Sequence, residues 1–162
     1  LALESWSPLA GRGQVLEIEV KHSDYKTAIY LIDESYNANP GSVKSSLETL
    51  ASIYSSQKSK CGYSRRIAVL GDMLELGISE VQEHVNISRF ARLDKIDKIY
   101  CVGFRMRRLY DVLPSLKRGF WTETAEEMQH VLVKNLKDGD IVMIKGSLSM
   151  GMNTIVNKLK NT

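Results

Sequence analysis

Apolar and polar positions change period several times along the chain, and each change marks an element. Residues 14–20 alternate, with Leu16, Ile18 and Val20 on one side and Glu17 and Glu19 on the other, whereas 27–32 run almost continuously apolar. Joined by the polar His22-Ser23-Asp24 stretch, the two predict an antiparallel pair of strands. Val43, Leu47, Leu50, Ala51 and Tyr54 then recur at helical spacing, behind Asn39 as N-cap and Pro40 at the first helical position. The lysine-containing polar segment 55–64 reads as a mobile loop.

Residues 66–70 form a short strand of the buried kind that ends in Gly71-Asp72. The stretch 73–77 reads as a loop and 79–93 as a helix, with Ser79 and Gln82 spaced as a capping box. A third buried strand covers 98–102 and is closed by Gly103, and a helix over 105–113 is stopped by Pro114. Residues 119–121 suit a short strand. Thr124 and Glu127 again have capping-box spacing, and Ala125, Met128, Leu132 and Leu136 give the next helix one apolar face. Asp138-Gly139-Asp140 turns the chain into a strand over 141–144, and a last helix carries Met152, Ile155, Val156 and Leu159 on one side. Strand and helix thus alternate four times after the opening hairpin. The rhythm requires right-handed crossovers and a mostly parallel sheet with helices on both faces. The expected class is α/β: a Rossmann-like three-layer domain of about six strands with one antiparallel member.

Composition narrows the function classes. A chain of 162 residues, 43% hydrophobic, suits one domain with a sizeable core. The net charge of +3 is spread over scattered Lys and Arg residues, which argues against a nucleic-acid partner. No apolar run is long enough to span a membrane, and 1–13 lacks the pattern of a signal peptide. Cys61, in a polar loop, and Cys101, in an apolar strand, have neither metal-ligand nor disulfide-framework spacing, so a reducing cytoplasm is expected. Leu1 in place of an initiator Met points to a segment of a longer protein.

Candidate chemistry gathers where strands end. Parallel strands put their carboxyl ends on one edge, so 33–39, 71–77 and 145–147 should converge. Asp33 and Glu34 can accept hydrogen bonds from sugar hydroxyls, while Tyr36, Asn37 and Asn39 can pack on or bond to a flat heterocycle. Asp72 and Glu75 can receive an ammonium; Lys145, the Ser147 hydroxyl and the N–H groups opening the last helix can receive a carboxylate or phosphate. The plainer alternative makes these residues capped turns, solvated carboxylates and a paired lysine. Lys145-Gly146-Ser147 is no Walker A loop, and a complete Gly-x-Gly-x-x-Gly fingerprint is missing. His84, within an amphipathic helix, suits packing better than general-base work, and His22 and His130 suggest less. Arg105, Arg107 and Arg108 read as a solvated helix face, with a domain contact as the sharper alternative.

Three segments, Asp33-Glu34-Ser35-Tyr36-Asn37-Ala38-Asn39-Pro40, 70–77 (LGDMLELG) and Ile144-Lys145-Gly146-Ser147, resemble in order and spacing the carboxyl-terminal domain of the Mur ligase family. Within it they resemble the branch of UDP-N-acetylmuramoyl-tripeptide:D-alanyl-D-alanine ligases (MurF). Gly11-Arg12-Gly13 looks like the family's arginine motif between the central and last domains, so the expected boundary leaves 1–13 as the end of the linker and 14–162 as the terminal domain. The resemblance implies an ATP-dependent amide-bond ligase of peptidoglycan synthesis. In it, a UDP-N-acetylmuramoyl tripeptide is activated as an acyl phosphate and attacked by the amino group of D-alanyl-D-alanine. The phosphate loop and magnesium ligands would belong to the central domain and the UDP-sugar grip to the amino-terminal one, leaving no catalytic and no metal-binding residue here.

Carried over by position, Arg12 would contact ATP phosphate, Asp33 or Glu34 the ribose, and Tyr36, Asn37 and Asn39 the adenine side. Asp72, Glu75, Lys145 and Ser147 would face D-alanyl-D-alanine. The family commonly has two aspartates at Asp33-Glu34, an Arg where Leu148 stands and an acidic residue where Asn153 stands. A monomer is expected. Two other readings stay open: another Mur-type or folylpolyglutamate-type ligase, and a noncatalytic nucleotide-binding module.

Overall fold

In a computed structural model, which describes residues 11–53 and 64–162, the sheet has six strands in the order β1-β2-β6-β3-β4-β5. The strands are β1 (Gln14–Lys21), β2 (Lys26–Glu34), β3 (Arg66–Gly71), β4 (Lys98–Val102), β5 (Arg118–Thr122) and β6 (Ile141–Lys145). Only the edge pair β1–β2 is antiparallel; every other pair is parallel. The helices are α1 (Pro40–Ser52), α2 (Glu80–Asn86), α3 (Met106–Val112), α4 (Ala125–Asn135) and α5 (Asn153–Lys160).

Period-2 side-chain alternation sorts the strands between two cores. Ile32, Ala68, Leu70, Ile99, Cys101 and Met143 face α1 and α3, packing with Val43, Leu47, Leu50, Met106 and Leu109. Their neighbours Leu31, Ile67, Val69, Tyr100, Val102, Val142 and Ile144 face α4 and α5, packing with Met128, Leu132, Ile155, Val156 and Leu159. The three expected layers are present.

Two local expectations need correcting. The helix foreseen over 79–93 is regular only at Glu80–Asn86 and passes into single tight turns at Ile87–Arg89 and Leu93–Lys95. Ile87, Phe90 and Leu93 recur every three residues, the pitch of a tighter helix, and all three pack on the α1-side core. The Ser79 capping box does not form: Ser79 already has helical dihedrals, its hydroxyl donates to the Leu76 carbonyl at 2.9 Å, and the Gln82 side chain reaches Asn86 instead. At α4 the Thr124 hydroxyl does accept from the Glu127 N–H. The Glu127 carboxylate, however, takes the N–H of Glu123, one residue before the cap.

The segment 55–64 and Cys61 lie outside the described residues, except Ser64, which is buried. Cys101 is fully buried, and burial pushes its thiol pKa up. Among the described residues no helix is long and apolar enough to cross a membrane.

Candidate functional site

The register of the central strands brings the candidate segments together. Lys145 at the end of β6 is opposite Glu34 on β2 and Leu70 on β3, so the three tips lie side by side on one rim. Small residues permit this closeness. A Cβ on Gly146 would stand 2.6 Å from Met152 Cγ and 3.1 Å from Gly71 Cα, and a Cβ on Gly71 would stand 2.7 Å from Met152 Sδ. Gly71 therefore serves close packing rather than a turn; the turn beyond it is made by Glu75 (φ 62°) and Gly77 (φ 58°).

The β2 end of the rim is built by α1. Asn39 Oδ1 accepts the Ser42 N–H at 2.8 Å while Ser42 Oγ accepts the Asn39 N–H at 3.0 Å, a reciprocal cap with Pro40 behind it. Asp33 is buried and already engaged: its carboxylate accepts from the Ser35 hydroxyl (2.6 Å), the Ser35 N–H and the Gly11 N–H. Glu34 is the more open of the two carboxylates. Gly11 adopts φ 78°, donates to Asp33 and accepts the Tyr36 N–H at 3.1 Å, while Gly13 donates to the Asp33 carbonyl. This clamp lays the Arg12 guanidinium 4.2 Å above the Tyr36 ring. Arg12, Glu34, Tyr36, Asn37 and Asn39 then line one cleft of about 250 Å³.

The β3 and β6 ends differ from the picture of free charges awaiting a ligand. Asp72 is buried, and its carboxylate accepts the Met106 N–H at 2.7 Å and the Arg105 N–H at 3.2 Å, with the Arg105 guanidinium at 3.6 Å. It serves the N-terminus of α3. Lys145 is equally buried, and its ammonium lies 2.9 Å from the Asn37 carbonyl and 3.4 Å from Glu34 Oε2. Desolvation lowers its pKa, and Glu34 partly restores it. The Ser147 hydroxyl accepts the Leu74 N–H at 3.0 Å, and the Ser147 N–H donates to the Asp72 carbonyl. Glu75 alone of these four is exposed. Even so, Asn37, Glu75 and Ser147 share a second cleft of about 300 Å³ with Leu74, Leu148 and Ser149.

Other contributors emerge only in three dimensions. Asn153, Asn157 and Lys160 line a third cleft, of about 230 Å³, with Asp33 and Tyr36. Their i, i+4, i+7 spacing, opposite the apolar stripe of α5, was the signal for them. His84 is fully buried and holds the Met73 backbone. Arg107 and Arg108 are exposed on α3, as a solvated face requires, although Arg107 also lies over the Trp121 ring at 4.7 Å; Arg105, just before the helix, is half-buried and pairs with Glu80 at 2.7 Å. A larger cleft, about 430 Å³, lies between α1 and α2 and holds none of the candidate residues. Among the described residues no group of three or more His, Cys, Asp or Glu side chains could hold a metal ion.

The clefts of about 250 and 230 Å³ fall below the ~300–1,000 Å³ typical of a small-molecule site, and that of about 300 Å³ stands at its lower end.

Comparison with known proteins bears on the family and the fold. Residues 18–148 match the family model described as Mur ligase, glutamate ligase domain. The UDP-N-acetylmuramoyl-tripeptide–D-alanyl-D-alanine ligase of Mycobacterium leprae is 30% identical over 169 aligned positions, covering 93% of this chain and 31% of that protein. The Bacillus subtilis ligase of the same name is 29% identical over 137, covering 82% and 28%. The crystal structure of MurF ligase from Thermotoga maritima in complex with ADP shares the fold, with a TM-score of 0.73 at 22% identity over 98% of this chain and 32% of that one. The chain thus spans about a third of the length of these proteins. It belongs to the Mur ligase family, as its glutamate ligase domain.

Proposed function

We propose that this chain is the carboxyl-terminal lid of an ATP-dependent ligase that joins D-alanyl-D-alanine to a UDP-N-acetylmuramoyl tripeptide. The observation that carries the reading is the single rim shared by the tips of β2, β6 and β3, with Arg12 stacked on Tyr36 beside Glu34, Asn37 and Asn39. A guanidinium on an aromatic face, an open carboxylate and two amides suit phosphate, ribose and heterocycle respectively. The Thermotoga structure, solved in complex with ADP, supports nucleotide binding by the whole ligase. Glu34 takes the ribose, because Asp33 is committed to Ser35 and Gly11. Glu75, with the lip of the cleft at Ser147, faces the acceptor dipeptide.

Residues 1–13 act as the end of a linker from a central domain that holds the phosphate loop. Magnesium would be held by that domain and not by residues of this chain, and would there offset charge on the transferring phosphoryl group. Lid closure brings the Arg12 cleft and the Glu75 cleft over the reacting groups and excludes water from the acyl phosphate. The acceptor amine then attacks the acyl carbon and phosphate departs.

The test has two arms. Full-length ligase is expected to release phosphate only when ATP, the UDP-linked tripeptide and D-alanyl-D-alanine are all present, whereas the isolated chain releases none. Turnover by the isolated chain overturns the lid role, and a full-length enzyme indifferent to D-alanyl-D-alanine overturns the acceptor.

A further inference from the structure

We infer that Lys145 is a positioning residue for the nucleotide half of the rim, acting through Glu34 and the Asn37 carbonyl, and that it does not bind the acceptor; this rests on the ligase reading above. β6 lies between β2 and β3, and two residues at its end reach in opposite directions. The Lys145 side chain crosses to the β2 turn, with its ammonium 2.9 Å from the Asn37 carbonyl and 3.4 Å from Glu34 Oε2. Two residues later, Ser147 holds the β3 loop through the Leu74 N–H and the Asp72 carbonyl.

Lys145 is 2% exposed, so an acceptor carboxylate could reach the ammonium only by displacing both partners and opening the turn that α1 caps. A buried ammonium stripped of those partners is strongly disfavoured, which locks the contact in place. Its effect is directional. It fixes Glu34 on the lip of the Arg12 cleft and pins the peptide of Asn37, the residue that lines both the Arg12 cleft and the Glu75 cleft. Of its two contacts, Glu34 lines the Arg12 cleft and not the Glu75 cleft, so Lys145 bears chiefly on the nucleotide side, while Ser147, which lines the Glu75 cleft, braces the acceptor side.

Steady-state kinetics of the full-length ligase test this. Lys145→Met is expected to raise KM for ATP about tenfold and to leave KM for D-alanyl-D-alanine within about twofold. Glu34→Gln should show the same split, and the double variant should be less than multiplicative, because Lys145 acts on the cleft in part through Glu34. A merely structural role would move both KM values together or leave both alone. A rise confined to the dipeptide, equal rises in both KM values, no change in either, or multiplicative effects in the double variant overturns the assignment of Lys145 while the ligase reading stands. A wild-type enzyme that forms no ATP-dependent amide bond overturns both. If Lys145→Met does not fold, Lys145→Gln, which keeps a donor for the Asn37 carbonyl but no charge for Glu34, decides: an ATP-selective KM supports the brace, and any other pattern overturns it.

Discussion

His84 holds the backbone of Met73: its Nε2 accepts the Met73 N–H at 3.0 Å, while Nδ1 lies 2.6 Å from the Glu80 carbonyl. The two contacts fix the neutral tautomer with the proton on Nδ1, since an acceptor faces one nitrogen and a donor the other. Nitrogen chemical shifts are expected to report a protonated Nδ1 and a bare Nε2. His84→Ala should destabilise the domain by ~1–3 kcal/mol in urea unfolding, because the buried Met73 N–H loses its partner. The opposite tautomer, or an unchanged midpoint, would remove His84 as the tie between α2 and the β3 loop.

At the other end of the sheet, Arg65 forks onto Asp140, at 2.8 Å through Nε and 2.6 Å through Nη2, and Asp140 is 1% exposed. The pair raises the Arg65 pKa. Removing only the carboxylate strands a partly buried guanidinium and frees the Lys137 N–H that Asp140 also holds. Asp140→Ala is accordingly expected to lose about 3 kcal/mol of stability. A loss below about 1 kcal/mol would mean that the pair behaves as a surface contact.

Gly146→Ala places a methyl group against Met152 and the Gly71 backbone. Overpacking of this kind costs about 1–3 kcal/mol. Trimming Met152 to Ala in the same chain should recover part of that loss, so the double variant is expected to be more stable than the sum of the singles allows. Simple additivity, read from paired unfolding curves, would show that the methyl clashes with backbone alone.

Burial lowers the pKa of the Lys145 ammonium from 10.5, despite Glu34. The unfolded chain therefore keeps this proton to higher pH than the folded one. In the window below 10.5 where only the unfolded form is protonated, stability rises with pH. The stability of the wild type minus that of Lys145→Met should increase as the pH is raised toward 10.5, a comparison that cancels tyrosine titration. A difference that falls with pH would mean that the folded protein holds the ammonium better than water does.

What was legible in the sequence was the chemistry decided within a few residues. Asn39-Pro40 caps α1 whatever its surroundings, and strand periodicity places Ile32, Leu70 and Ile144 in the core. Side-chain direction at the tips was not legible. Asp72 and Lys145 follow apolar runs that would read the same with their charges in water, and only the α3 N-terminus and the β2 turn, supplied by distant segments, draw them inward. Ser79 failed as a cap for a related reason: the tight turn at Gly77–Ser79 had already given it helical dihedrals. The difference between Asp33 and Glu34, invisible in the sequence, comes from the backbone N–H groups of Gly11 and Ser35 closing on Asp33.

β6 is the last strand made and yet lies in the middle of the sheet. On the ribosome, everything up to α4 emerges before it, leaving β1–β2 and β3–β4–β5 as two fragments whose inner edges have no neighbour. Such edges invite pairing with other chains. Synthesis past Ile141 is thus the step that welds the fragments and, in the same stroke, assembles the rim. A nascent chain cut short of it is expected to leave both inner edges unpaired and prone to association, and to be without a site.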